Sequence, residues 1–306
     1  MASMSTNTKP IDRIEGTANG HARLSEEEWA ALEAAGLVEG AVSEEGKVVS
    51  EEEYWAEYYN HPDFDYEWNN GILEAKPMSD FIKYSMYDWF VAILREFLKV
   101  HPIARKMALE VGFRLELPDK TTVRKPDLFI VRNDNPVALG DTDRQYYGIC
   151  DLCIESISDS SKREIERDTV AKKQEYAAAG VREYFILDPS GEHMAFYRLT
   201  PQGDYAEIGG GPEGVIRSEV LPGFQFRIDD LYRQPQLVEL VDDEVYRDYV
   251  LLEYQEERAR AEQERIRAEQ ERSRAEQERA RAEQERARAE RLAAKLRQLG
   301  IDADAG

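Results

Sequence analysis

The chain has 306 residues, 42% hydrophobic and 33% charged, with 62 acidic against 40 basic side chains. That apolar content is enough for a folded core. No stretch approaches the ~20 uninterrupted apolar residues of a membrane-spanning helix, and two cysteines cannot build a disulfide framework. The polar first 20 residues lack the apolar run of a secretory signal, and the low cysteine count leads to the expectation of a reducing cytoplasm.

The net charge of −22 is unevenly spread. Residues 253–299 sum to +1 and residues 1–252 to −21; residues 1–80 alone hold 18 acids against 5 bases. Such a field repels a polyphosphate. A nucleic-acid function would need a local basic patch, a metal ion or a partner.

Residues 1–50 read as an acidic N-terminal extension. Ser25-Glu26-Glu27-Glu28 and Ser50-Glu51-Glu52-Glu53 both match a capping box and each predicts the start of a short helix. Residues 51–235 mix α and β. Trp89–Val100 has helical spacing, and strand-like runs follow at Ala108–Leu117, Val123–Val131 and Ile149–Ser158. Lys162–Ala179 reads as a helix stopped by Gly180, and Glu183–Leu187 as a strand closed by Asp188-Pro189. Strand, helix and strand from 149 to 187 predict a parallel crossover. Shorter strands are expected near Met194–Arg198, Val215–Val220 and Phe224–Ile228.

Residues 236–306 form a charged helical tail in which RAEQERx recurs every seven residues from Arg260 to Arg286. The small residues are spaced by two and five, a poor seam for a coiled coil. Pairs such as Arg260 with Glu264 support a solvated helix instead. A single charged helix and a dimerising coiled coil both remain open.

Chemistry concentrates on two strands. Asp127 ends the run Arg124-Lys125-Pro126-Asp127, and Glu155 lies within the apolar run Asp151–Ser158; a helix bearing Lys172 and Lys173 follows. Acids beside or inside apolar strands are costly unless paired or bound to a metal. Two convergent carboxylates suit Mg²⁺ or Mn²⁺, and a nearby lysine can orient a water or offset developing charge. The competing role of Asp168 and Lys172 is a surface pair at i, i+4.

The segments RKPDLFIV, DLCIESIS, KKQEYAAAGVREYFILDP and LPGFQFRIDDLY, with YEWNNGILE before them, resemble the Uma-two family of restriction-endonuclease-like proteins, part of the PD-(D/E)XK nuclease superfamily. The resemblance covers about residues 51–235 and extends to a charged helical tail. It implies an α/β fold, a restriction-endonuclease-like mixed sheet flanked by helices, and a long charged C-terminal helix. It further implies an endonuclease that hydrolyses phosphodiester bonds. Asp127 and Glu155 would be its metal ligands, Mg²⁺ its cofactor with Mn²⁺ as a substitute, and nucleic acid, DNA ahead of RNA, its substrate. The superfamily lysine two residues after the acid is replaced by Ile157, and the resemblance assigns its role to Lys172. The histidine frequent at the start of the first long helix is replaced by Phe81-Ile82-Lys83-Tyr84. A homodimer, through the core or the tail, would suit double-strand cleavage. The alternative is a catalytically inactive nuclease fold used for interaction or oligomerisation, without a membrane partner.

Several other features carry less. Glu110 is a candidate third carboxylate. Cys150 and Cys153, three apart, are expected on opposite faces of a strand as core residues. The four histidines show no metal-ligand spacing, and the aromatic cluster from Tyr54 to Trp68 is expected to pack a core.

Overall fold

A computed structural model of the chain describes residues 42–76, 80–108, 111–157 and 161–298. The expected Ser25 helix, Glu110 and the last residues of the tail lie outside them. Helix α1 starts at Glu51–Glu53, capped by Ser50 Oγ on the Glu53 N–H, and continues as a π-helical turn, Tyr54–Tyr58. The hairpin β1 (Tyr66–Asn69) and β2 (Ile72–Ala75) turns on Asn70 and Gly71, with φ of 48° and 99°, the positive-φ pair that a tight hairpin requires. Helix α2 (Phe81–Val100) begins earlier than its apolar run, because Asp80 caps it through the Lys83 N–H. Strands β3 (Ala104–Ala108), β4 (Phe113–Glu116), β5 (Thr121–Arg124), β6 (Leu128–Arg132) and β7 (Leu152–Ser156) follow.

Helix α3 runs from Lys162–Glu166 through a π-helical turn, Arg167–Ala171, into Lys172–Ala179. It stops at Gly180, φ 90°. Then come β8 (Glu183–Leu187), β9 (Ala195–Leu199), β10 (Tyr205–Glu207), β11 (Val215–Arg217), β12 (Gln225–Arg227), helix α4 (Ile228–Arg233) and the long helix α5 (Leu252–Gln298).

A six-stranded mixed sheet, β10-β9-β8-β7-β6-β3, is the frame. Only β7 and β8 are parallel, and α3 crosses between them, as the sequence predicts. Side chains alternate across the central strands. Leu128, Ile130, Leu152, Ile154, Phe185 and Leu187 face α2, where Phe90, Ile93 and Phe97 are fully buried. Phe129, Cys153, Tyr184 and Ile186 face Tyr176 of α3. A second, antiparallel sheet, β2-β1-β5-β4, carries its own core with Tyr54, Tyr58, Tyr59, Tyr66 and Trp68, so the aromatic cluster packs inward.

Two expected strands each prove to be two. Ala108–Leu117 divides between β3 and β4, and Val123–Val131 between β5 and β6, with the halves in different sheets. Pro126 has no N–H to give a ladder, and the Lys125 N–H goes to Glu67 Oε1 at 2.8 Å. Past β12, Leu240, Val245, Tyr246, Tyr249 and Val250 pack against α2 and the β11–β12 ribbon, so core packing continues beyond residue 235. From Glu253 onward α5 is almost wholly exposed, and its 47 residues span ~70 Å at 1.5 Å each. Among the described residues no helix is long and apolar enough to cross a membrane.

Candidate active site

Asp127 stands immediately before β6. The antiparallel register pairs Leu128 with Ile154, and one step back Asp127 lies across from Glu155. The end of β2 contributes Lys76, and the first turn of α2 contributes Lys83. Lys76 Nζ donates to Asp127 Oδ1 at 2.9 Å and to the Lys125 carbonyl at 2.6 Å. Asp127 Oδ2 accepts the Ser156 N–H at 2.8 Å and lies 3.8 Å from Lys83 Nζ. The Tyr87 hydroxyl donates to the Asp127 carbonyl. One-fifth of the Asp127 side chain is exposed, whereas Glu155 and Lys172 are buried, so the site meets solvent at Asp127.

Glu155 Oε1 accepts from Lys172 Nζ and from the Tyr176 hydroxyl, both at 3.0 Å. Lys172 Nζ also lies 3.0 Å from Asp168 Oδ1 and 3.1 Å from Glu67 Oε1. It is therefore no surface lysine: three carboxylates from β1, β7 and α3 surround it. Ile157, two residues after Glu155, is buried in the same cluster as Tyr176, and the cation on that side of the strand comes from α3. The π-helical turn inserts a residue just ahead of Lys172. Of the backbone carbonyls there, Asp168's receives the Tyr184 hydroxyl at 2.8 Å.

The electrostatics separate the two acids. Burial opposes the charge on Asp127, yet the ammonium groups of Lys76 and Lys83 and the Ser156 N–H hold its pKa down at about 2. Burial pushes Glu155 up to about 7, reinforced by Asp168 and Asp127 and opposed by Lys172 and Lys76. Glu67 is buried too, but Lys172 and Arg124 hold it well below the usual carboxylate range. Lys172 is driven far above a normal lysine by Asp168, Glu155 and Glu67, against the cost of its own burial.

The donor set suits a hard divalent cation. Among the described residues, every hydrogen bond to the Glu155 carboxylate falls on Oε1. Among the described residues Ser156 Oγ is buried and makes no hydrogen bond, whereas Asp168 Oδ1 is held by the Lys172 ammonium at 3.0 Å. Among the described residues no group of three or more His, Cys, Asp or Glu is placed to hold a metal. Mg²⁺, however, is commonly held by one or two carboxylates and keeps several waters.

Behind the site a buried ion network joins the four-stranded sheet to helix α3. Arg124, fully buried, donates to Glu175 Oε2 at 2.6 Å and Oε1 at 2.9 Å, to Glu67 Oε2 at 3.1 Å, and to Glu74. Lys125 Nζ turns away from Asp127 to the Asp65 carboxylate at 2.6 Å and the Tyr59 carbonyl at 2.7 Å. The basic pair preceding Asp127 is thus structural.

Sequence reasoning missed Lys76, Lys83, Glu67, Asp168 and Tyr176 as neighbours of these acids. Glu67 carried a signal, an acid inside an aromatic strand, and Lys83 carried one in its place at the start of the first long helix, where the resemblance expects a histidine; Lys76 carried none, being a single lysine at a strand end. The expectation that Cys150 and Cys153 point to opposite faces is corrected. Cys150 precedes β7 in a loop, where strand alternation does not apply, and the two Sγ atoms lie 3.1 Å apart inside the second core.

A family model described as "Putative restriction endonuclease", Uma2, matches residues 51–229. None of the curated proteins compared with the chain matches it. Among solved structures, one described as "a putative nuclease belonging to DUF820 from Anabaena variabilis ATCC 29413" is similar at 17% identity. That similarity covers 61% of this chain and 98% of that one, with a TM-score of 0.47. The family match takes in more than half of the chain, including Asp127, Glu155, Lys172 and both lysines beside Asp127: the chain belongs to the Uma2 family.

Proposed function

We propose that the chain is a divalent-metal-dependent endonuclease acting on the phosphodiester bonds of nucleic acid, with DNA as the substrate. The supporting observation is the juxtaposition of Asp127 and Glu155 across β6 and β7, with the Lys172 ammonium held at 3.0 Å from Glu155. In this reading Asp127 and Glu155 would hold Mg²⁺, with Mn²⁺ as a substitute. The ion, when bound, supplies charge stabilisation to the scissile phosphate and acidifies a water.

The chain's own residues do the rest. Tyr176 and Lys172 fix the Glu155 carboxylate through Oε1, and the Ser156 N–H fixes Asp127 through Oδ2. Lys172 keeps its proton because three carboxylates surround it, so it serves as a fixed positive charge or donor and not as a base. Lys76 and Lys83 give the site a local positive character that the net charge of −22 otherwise denies a polyphosphate. The expected domain division also stands as part of this proposal: an acidic extension, a nuclease body and a charged tail.

Plasmid and oligonucleotide cleavage with Mg²⁺ and Mn²⁺ tests the reading. Cleavage by wild type that Asp127→Asn abolishes supports it; no metal-dependent cleavage by folded wild type overturns it.

One observation favours the rival reading, an inactive nuclease fold used for interaction. Asp127 is already neutralised by Lys76 and approached by Lys83. Absence of Mn²⁺ binding would support that reading.

A further inference from the structure

Lys76 differs from the other cations near the acids. It comes from the end of β2, in the four-stranded sheet, and reaches across to a residue of the six-stranded one. Its ammonium has two partners, Asp127 Oδ1 at 2.9 Å and the Lys125 carbonyl at 2.6 Å. Both are oxygens of the kind a hard divalent cation selects. Asp127 Oδ2 meanwhile is taken by the Ser156 N–H. The ammonium therefore sits against the carboxylate oxygen that the backbone leaves to a cation.

We propose that Lys76 is a built-in counter-ion that competes with the divalent cation for Asp127 Oδ1, so that metal binding and the Lys76–Asp127 ion pair exclude one another. The inference rests on the metal-site reading above. A Mg²⁺ ion binds carboxylate oxygen at ~2.1 Å, and an ammonium 2.9 Å from the same atom would lie within a few ångströms of it. Charges of like sign at that spacing in a largely buried site repel strongly. Lys76 must leave Oδ1 as the ion arrives, giving up its contact with the Lys125 carbonyl or turning about it. Lys83, 3.8 Å from the other oxygen, is close enough to add repulsion but covers no lone pair of Oδ1. It is the internal control for charge without occupancy. Lys172 has no direct part in the competition, since its partners are Glu155, Asp168 and Glu67.

The test is Mn²⁺ binding to the full-length chain, by calorimetry and by loss of the free-ion electron paramagnetic resonance signal, with no nucleic acid present. Wild type is compared with Lys76→Met, Lys76→Gln, Lys83→Met and Asp127→Asn, each checked for native circular dichroism. Lys76→Gln retains a hydrogen-bonding group without the charge and stands in if the methionine variant misfolds. The competition predicts that both Lys76 variants bind Mn²⁺ tighter than wild type by about tenfold or more, roughly 1.4 kcal/mol. Lys83→Met should gain distinctly less, and Asp127→Asn should lose binding. Binding by the Lys76 variants alone, with none by wild type, also supports the proposal. Equal or weaker binding by the Lys76 variants, with Asp127→Asn still abolishing it, overturns the competition and leaves the metal reading standing. No binding by wild type or by either Lys76 variant overturns both.

Discussion

Lys172 lies 3.0 Å from Glu155 Oε1, reaching from helix α3 to strand β7, on the side of the strand where Ile157 follows the acid. A cation carried by the helix thus meets the Glu155 carboxylate, and its burial is made tolerable by Glu67 and Asp168. The consequence is that Lys172 bears on stability as well as on any chemistry.

Lys172→Met should be destabilised by about 3–5 kcal/mol, the usual cost of leaving buried charge without its partner. Urea denaturation checks this, and a loss under about 1 kcal/mol would contradict the buried geometry. Activity of such a variant is meaningful only at equal folded fraction.

Arg124 is a second buried cation held by several carboxylates. Its guanidinium is wholly buried and serves Glu175, Glu67 and Glu74 together. Arg124→Met should cost about 3–5 kcal/mol, and adding Glu175→Gln should recover part of it because the orphaned charge is removed. Strict additivity of the two losses would show that they do not act as a unit.

Glu155 gives stability a pH dependence of known sign. Its pKa is about 7 in the fold against 4.5 when free. The native state therefore binds the proton more tightly, and stability falls as pH rises from 4.5 to about 7, then levels off. The size is of order 3 kcal/mol at most. Glu155→Gln should flatten that slope in chemical denaturation between pH 5 and pH 8. Asp127 works in the other direction: held at about 2, it adds stability above pH 4 that is lost as pH falls towards 2.

Helix α5 presents charge on every side, and its charged pairs, such as Arg265 with Glu262, run along a solvated surface. Its contacts with the body lie near its start, through Glu253 to Lys99 and Arg258 to Asp242. Truncation after Ala261 should shift Tm by less than about 2 °C, since exposed pairs contribute little. It should also leave the oligomeric state in light scattering unchanged. A fall from dimer to monomer would establish the tail as the dimerisation device.

Much of the core was legible because its signals are local. The apolar run Trp89–Val100, the helix stop at Gly180 and the strand–helix–strand order around Glu155 each depend on neighbours in sequence. The splitting of Val123–Val131 was not, because a strand-like run looks the same whether one sheet or two receives it; only Pro126, within the polar stretch Arg124–Asp127, hinted at the break. Asp127 and Glu155 stand out as acids beside or inside apolar strands and Lys172 through the family pattern, and the structure brings the last two into contact. For Lys76 and Lys83 the contacts with Asp127 were out of reach for a plain reason. Each is an isolated lysine whose partner lies more than forty residues away, and no periodicity records such a contact.

The most direct test is metal-dependent cleavage by the full chain, comparing wild type with Asp127→Asn and Lys172→Gln at equal folded fraction. The account predicts Mg²⁺- or Mn²⁺-dependent cleavage by wild type and its loss in both variants, by ~10²-fold or more for the lysine. Undiminished cleavage by folded Asp127→Asn, or none by folded wild type with either metal, would contradict it.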